Sequence, residues 1–248
     1  MKILVCISST SDTTTKVKFD SEGKKLQEEG VQWIINPWDE LTLTRAIELK
    51  KKYSDVISMV SVAIVGEEKV EPTLRKALAL GADEAVRIDA MPKDSFFVSR
   101  QLTLIAKDFD LILAGVEGSD FQGGGVGQML AEMIDIASVS GVSFLDIKQT
   151  DVEVKREIQG GKETLKVSTP VVIVGQKGIA HVPAIASIRG VMDARRKEIR
   201  VVPACSADEK IMYDSYELPE PRKECKMFDE NQIDDLFNAL RHEAKVLQ

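Results

Sequence analysis

The sequence predicts a doubly wound α/β fold: a mostly parallel sheet with helices on both faces, a small antiparallel extension and a C-terminal arm. Three observations carry this. From Val56 to Ile134, short β-branched apolar runs alternate with helix-length amphipathic segments in units of about 30 residues, the pattern of βαβ crossovers. Glycines stand where those runs must stop, at Gly66, Gly81 and Gly115. After Ser138 the texture changes to short alternating runs, with Gln159-Gly160-Gly161 as a hairpin signal between two of them.

Taken in order, Lys2 to Ile7 reads as a buried first strand that stops at a Ser/Thr cluster, rather than as an export signal. A weak strand is expected at Lys16 to Phe19, then a turn at Gly23 and a short apolar segment from Trp33 to Ile35. Asn36 before Pro37 marks a helix start, and Leu41, Ala46, Ile47 and Leu49 give that helix its apolar face. Lys50, Lys51 and Lys52 suit the negative end of its dipole. Strands follow at Val56 to Val65, Ala85 to Ile88 and Leu111 to Ala114, separated by helices at Pro72 to Leu80 and Ser95 to Ala106. A glycine-rich loop, Gly123-Gly124-Gly125, opens a helix from Val126 to Ile134. Runs at Val142 to Ile147, Val152 to Ile158, Thr164 to Ser168 and Val171 to Val174 form the expected antiparallel extension. Little periodicity is visible from Gly175 to Arg200. Pro203, Pro219 and Pro221, mixed charges and an amphipathic helix near Asn231 to Val246 mark an arm, dividing a core of residues 1–202 from residues 203–248.

Composition excludes several classes. The 248 residues are 44% hydrophobic and carry a net charge of −7, which describes a foldable chain rather than a disordered one. No run approaches the roughly 20 apolar residues of a membrane helix, so membrane insertion is not expected. Forty acidic against 33 basic residues argue against a nucleic-acid partner, whose phosphates call for a basic face. Cys6, Cys205 and Cys225 are too few for a disulfide framework, and a reducing compartment, cytoplasm or organelle matrix, fits best. His181 and His242 are too few for a multi-histidine metal site, and no metal is expected.

In an open parallel sheet, ligands bind beyond the carboxyl ends of the strands. The candidate positions are therefore Cys6 to Ser9, Asn36, Val65 to Gly66 and Gly115 to Gly127. The last joins a strand end, a loop of backbone N–H groups and a helix N-terminus, which suits a phosphate; the bland alternative is a surface turn. Neither a P-loop lysine nor a spaced G-x-G-x-x-G is present. Asp39 and Glu40 are adjacent on a helix and point apart, so dipole matching is expected of them rather than acid–base work. His181 reads as a solvated or structural histidine, and Arg195-Arg196-Lys197 as a solvated basic patch. No catalytic set can be read from spacing.

These residues nonetheless form an ordered series. Leu4-Val5-Cys6-Ile7 with Asp12-Thr13-Thr14, then Asn36-Pro37-Trp38-Asp39-Glu40, then Ala77-Leu78-Ala79-Leu80-Gly81-Ala82-Asp83, then Arg156-Glu157-Ile158, Gly160-Gly161 and Glu163-Thr164-Leu165 before Pro170 follow one another in register. The series resembles the β (small) subunits of electron transfer flavoproteins over nearly the whole chain. The resemblance implies a Rossmann-like, adenine-nucleotide-binding domain without catalytic residues of its own. It implies a heterodimer with an FAD-bearing α subunit, with FAD at or across the interface and AMP held structurally in this chain. Electrons would come from flavin dehydrogenases such as acyl-CoA dehydrogenase and pass to a quinone oxidoreductase or another acceptor.

By position, the resemblance assigns AMP contacts to Cys6, Asn36, Val65, Asp120, Gly123, Gly124, Gly125 and Val126. It sets Thr13 and Trp38 near the partner's flavin and Glu163 against the partner's flavin domain. It makes Ile188 the anchor of a dehydrogenase-docking loop spanning about Ala180 to Met192, with Arg189 beside it and Arg195, Arg196 and Lys197 after it. The terminal helix would brace the α subunit. A bacterial cytoplasm is favoured over a mitochondrial matrix. Three departures stand out. Ser8-Ser9 replaces a common Lys-Arg, Gly125-Val126 replaces a Gln-Thr that contacts the phosphate, and Arg189 replaces a proline. A valine at 126 also resembles members that hold a second FAD, oxidise NADH and bifurcate electrons. AMP and FAD both stay open, as does a stand-alone adenine-nucleotide sensor.

Overall fold

The structure, a computed structural model, describes residues 1–221 and 225–247; residues 222–224 and 248, within the expected C-terminal arm, lie outside the described residues. The chain divides into two compact units, one made of Met1–Val17 and Gln27–Asp214, the other of Lys18–Leu26 and the chain from Ser215 onward.

The larger unit is built on a nine-stranded sheet. Strand β1 (Lys2–Cys6) lies within it, fourth from one edge, and β2 (Ser9–Ser11) and β3 (Trp33–Ile35) form a separate antiparallel pair. Helix α1 (Pro37–Lys52) leads to β4 (Met59–Val65), α2 (Glu71–Leu80) to β5 (Glu84–Asp89), α3 (Ser95–Ala106) to β6 (Leu111–Gly115), and α4 (Val126–Ile134) follows. Next come β7 (Ala137–Lys148), β8 (Asp151–Ile158), β9 (Gly161–Ser168), β10 (Val171–Gly175), α5 (Ile188–Arg196) and β11 (Ile199–Pro203). The order across the sheet is β11-β5-β4-β1-β6-β10-β7-β8-β9.

Residue alternation on the central strands explains the two layers. Ile3 and Val5 of β1 point into the cluster that holds Leu43, Ile47 and Leu49 of α1 and Leu74 and Leu78 of α2. Leu4 and Cys6 point the other way, into the cluster of Phe97, Leu102 and Ile105 of α3 and Leu130 and Ala131 of α4. Strands buried on both faces read as continuous apolar runs, as β1, β4 and β6 do. The chain leaves β1 toward β4 on one side and later returns to place β6 on its other side. The sheet therefore reverses its winding between β1 and β6, and open α/β sheets bind ligands at the carboxyl ends beside such a reversal.

Several sequence expectations need correction. Lys16 to Phe19 forms no strand; Phe19 makes only a single bridge to Leu26, while the Ser9–Ser11 segment, read as a loop, is the one that pairs, with Trp33–Ile35. The strand at Val56 starts only at Met59, because Val56 and Ile57 both donate to the Tyr53 carbonyl in a turn. Strand β10 is not part of the antiparallel extension. It inserts parallel between β6 and β7, and all five of its residues are buried. The antiparallel part is β7–β8–β9, whose tight turn sits at Gly160 with φ +87°. The aperiodic stretch from Gly175 to Arg200 contains α5, capped by the Ser187 side chain on the Gly190 amide, and the first two residues of β11.

Within the smaller unit, the terminal helix is shorter than expected. Helix α6 runs Ile233–Asn238 and continues as one wider turn at Ala239–Glu243. Phe19 and Tyr216 stack at 5.2 Å in the same unit. No helix among the described residues is long and apolar enough to cross a membrane.

Candidate functional site

The carboxyl ends of β4, β1 and β6 lie side by side, bringing Val65, Cys6 and Gly115 to one edge of the sheet. The side chains of Cys6 and Val65 are buried in the layer of α3 and α4, so these residues offer a ligand their backbone. Burial pushes the Cys6 thiol up to about 12, with the Asp39 charge adding to the effect, and keeps it protonated and inert.

Above this edge stands the loop from Gly115 to Gly125. Gln122, Gly124 and Gly125 all adopt positive φ, at 50°, 57° and 86°. This left-handed curl is readily reached by glycine and turns successive N–H groups to one side. Gly125 is the N-cap of α4 and no side chain caps that helix, so its first amides remain directed outward. Gly127 fixes the helix there: a Cβ on it would lie 2.5 Å from Val174 Cγ2 of β10. An uncapped helix N-terminus, held by close packing at the switch point, is chemically suited to an anionic group.

Side chains from several elements brace the loop. Asn36 is buried at the N-terminus of α1, but it does not cap its helix. Its amide donates to Glu117 O at 2.8 Å and accepts from Ser119 N at 3.1 Å. Ser95 Oγ at the start of α3 donates to Gly124 O at 2.7 Å, and Ser119 Oγ meets Thr10 Oγ1 at 3.1 Å. Asp120 is exposed and accepts from the Phe121 amide, whose ring tilts against Tyr213 at 4.9 Å.

Asp39 departs from its expected role. It is buried, and it matches no dipole from the surface. Its Oδ2 accepts from Ser8 N at 2.8 Å and Ser8 Oγ at 2.7 Å, and its Oδ1 accepts from Gly115 N at 2.9 Å. The carboxylate thus joins the chain leaving β1 to the end of β6. Burial raises its pKa to about 6, against the pull of these donors and of Asn36. A side chain on Gly115 would run into Asp39 Oδ1 and Trp38 Cβ, so the first turn of α1 sits directly on that strand end. Glu40 does point away, to Lys76 at 2.8 Å.

The structure therefore brings Cys6, Asn36, Val65 and the 123–126 loop to one end of the sheet, with Trp38 on the adjoining helix turn. Thr13 is exposed, in the turn after β2. Glu163 lies on the hairpin and is engaged by Arg156 at 2.6 Å. Ile188 opens α5 and is 85% exposed, as is its neighbour Ile185 at 90%. Arg189, Arg195 and Arg196 are exposed, Arg189 within 3.8 Å of Asp193. Lys197 is not part of a free basic patch, because its ammonium donates to Ala82 O at 2.7 Å. Sequence reasoning missed Asp39, Ser8, Ser95 and Ser119 as the braces of this region. The available signal was the spacing of Asp39 in Asn36-Pro37-Trp38-Asp39, which turns it inward from the first helical turn.

Comparison with known proteins is consistent with this geometry. The family model described as the electron transfer flavoprotein domain matches residues 24–207. The electron transfer flavoprotein subunit beta of Bacillus subtilis is 34% identical, with both chains covered in full. That of Thermoanaerobacterium thermosaccharolyticum is 33% identical over 82% of this chain and 79% of its own. The human protein of the same name is 27% identical over 82% of this chain and 81% of its own. With its doubly wound sheet, its glycine-rich switch-point loop and a match over its full length, the chain belongs to the electron transfer flavoprotein family as one of its beta subunits.

Proposed function

We propose that this chain is the structural, non-catalytic half of an electron-transferring heterodimer. It holds AMP at the switch point and docks donor dehydrogenases, while a flavin-bearing α subunit carries the electrons. The single observation that carries the nucleotide reading is the uncapped α4 N-terminus behind a left-handed glycine loop, held beside the ends of β1, β4 and β6. The amides of Gly123, Gly124, Gly125 and Val126 would take the phosphate, and the backbone at Cys6, Asn36 and Val65 would line the adenosine. Asp120, at the rim of the same loop, would close it.

The FAD of the partner supplies the redox chemistry. This chain contributes position, with Trp38 and Thr13 offered toward the partner's flavin and Glu163 toward its flavin domain. Ile185 and Ile188 are apolar, almost fully exposed and next to a helix start, a form that suits a small anchor inserted into a dehydrogenase during a brief encounter. Arg189, Arg195 and Arg196 would surround that anchor with charge, and the C-terminal arm would lie on the α subunit. The acceptor would be a quinone oxidoreductase or a protein of similar role, and the compartment a bacterial cytoplasm or a mitochondrial matrix.

One observation supports a second reading. Val126 at the first position of α4 supplies no side-chain hydrogen bond to a phosphate, which suits a β site that holds a second FAD and oxidises NADH. The test is to co-express the chain with its partner, purify the complex and identify the bound nucleotides. A yellow heterodimer containing AMP supports the first reading, and a colourless chain that ignores every flavin-bearing partner overturns both.

A further inference from the structure

The apolar anchor at Ile188 stands on a helix with little apolar area to hold it. Of the nine residues of α5 only Ala194 is buried, and Ile188 and Met192 are left exposed. A helix this short does not persist in water by itself, and one alanine is a small apolar seat. The Ser187 cap and the Arg189–Asp193 pair act within this segment and tie it to no other element.

Its attachment comes from α2, at both ends. At the end of α5, Arg75 Nη1 donates to Ala194 O at 2.8 Å and also to Lys197 O. A helix cannot satisfy its last carbonyls internally, and a cation beside them also suits the dipole. At the start of α5, Gly190 lies against the end of α2. A Cβ on Gly190 would come within 2.6 Å of Ala79 O, so only glycine allows this approach. The remaining ties hold the chain outside the helix. Ala184 N donates to Thr44 Oγ1 before it, and after it Lys197 Nζ donates to Ala82 O and β11 pairs with β5.

We infer that Arg75 and Gly190 are positioning residues for docking: together they mount α5 on α2, so that Ile188 meets the donor dehydrogenase in one preset orientation. This rests on the docking reading above for the partner, but not for the mount itself. An anchor held in place before the encounter loses less freedom on binding. The mount therefore tightens docking and leaves the transfer step within the docked complex unchanged.

The experiment uses the full chain in complex with its flavin-bearing partner, titrated against an acyl-CoA dehydrogenase reduced by its acyl-CoA. Electron uptake is followed by flavin absorbance, and amide hydrogen exchange is followed over residues 187–197. Arg75→Ala should raise the apparent KM for the complex about tenfold, on the scale of one hydrogen bond from a charged group, and leave kcat unchanged. Gly190→Ala, whose methyl group must push α5 away from Ala79, should raise KM in the same way; it decides alone should Arg75→Ala fail to assemble. Neither change should raise KM further in an Ile188→Ala background, because the anchor they position is gone. A KM unchanged in both variants, or raised equally with and without Ile188, overturns the inference. A wild-type complex that takes no electrons from this dehydrogenase, or an Ile188→Ala complex with unaltered KM, overturns the docking reading instead. Exchange over residues 187–197, which needs no donor, then decides the mount: lost protection in the variants supports it and kept protection overturns it.

Discussion

At the scale of single residues, Asp39 is held in an expensive state. Burial raises its pKa from 3.8 to about 6, so the folded chain binds this proton more tightly than the unfolded chain does. The contribution to stability is therefore fully present below pH 3.8 and is lost as pH rises through 6. Between low and neutral pH this lowers the stability of the fold by about 3 kcal/mol. Denaturant melts of wild type and Asp39→Asn should show a stability difference that shifts in favour of the variant between pH 4 and pH 7; parallel pH profiles would mean that burial does not raise the pKa of Asp39. Ile188 illustrates the opposite case, an apolar side chain left almost wholly in water. Ile188→Ala should slow electron uptake from the donor dehydrogenase about tenfold or more, as for the loss of a central anchor, and leave the flavin spectrum unchanged. An unaltered rate would put the docking surface elsewhere.

At the scale of elements, strand β10 shows what the sequence made readable and what it hid. Val171-Val172-Ile173-Val174 was legible as a strand, but its neighbours in sequence are antiparallel, and proximity in sequence argued for grouping it with them. The better guide was its unbroken apolar run, which belongs to a strand covered on both faces. Ile173 is fully buried between the two sides of the sheet's centre, and Ile173→Ala should cost roughly 2–5 kcal/mol in a denaturant melt. A cost under about 1 kcal/mol would contradict a central place for β10. Helix α5 was hidden for a related reason. Only Ala194 of its nine residues is buried and its short apolar stripe, Ile188, Val191 and Met192, is left exposed, so it is fixed instead by Arg75 donating to the carbonyls of Ala194 and Lys197. The glycine loop was readable because positive φ leaves a compositional mark, whereas the braces around it, Ser8, Asn36, Asp39, Ser95 and Ser119, act across long sequence separations that no local pattern records.

At the scale of the whole molecule, the proposed role is that of an assembly part that holds and positions its partners. The crevice is formed by backbone, a helix end and tightly packed glycines, which suit holding a nucleotide still. The apolar residues at the start of α5 and the amphipathic C-terminal segment, with Ile233, Leu236 and Phe237 at least partly exposed, suit contact with other proteins. Electron transfer between flavins asks a subunit of this kind for close and repeatable positioning. The central claim is tested most directly by denaturing the purified complex of this chain with its flavin-bearing partner and counting the FAD and AMP released per heterodimer. One FAD and one AMP is the predicted result, with the AMP lost on disrupting the Gly123–Val126 loop; two FAD and no AMP, or no adenine nucleotide assignable to this chain, would contradict it.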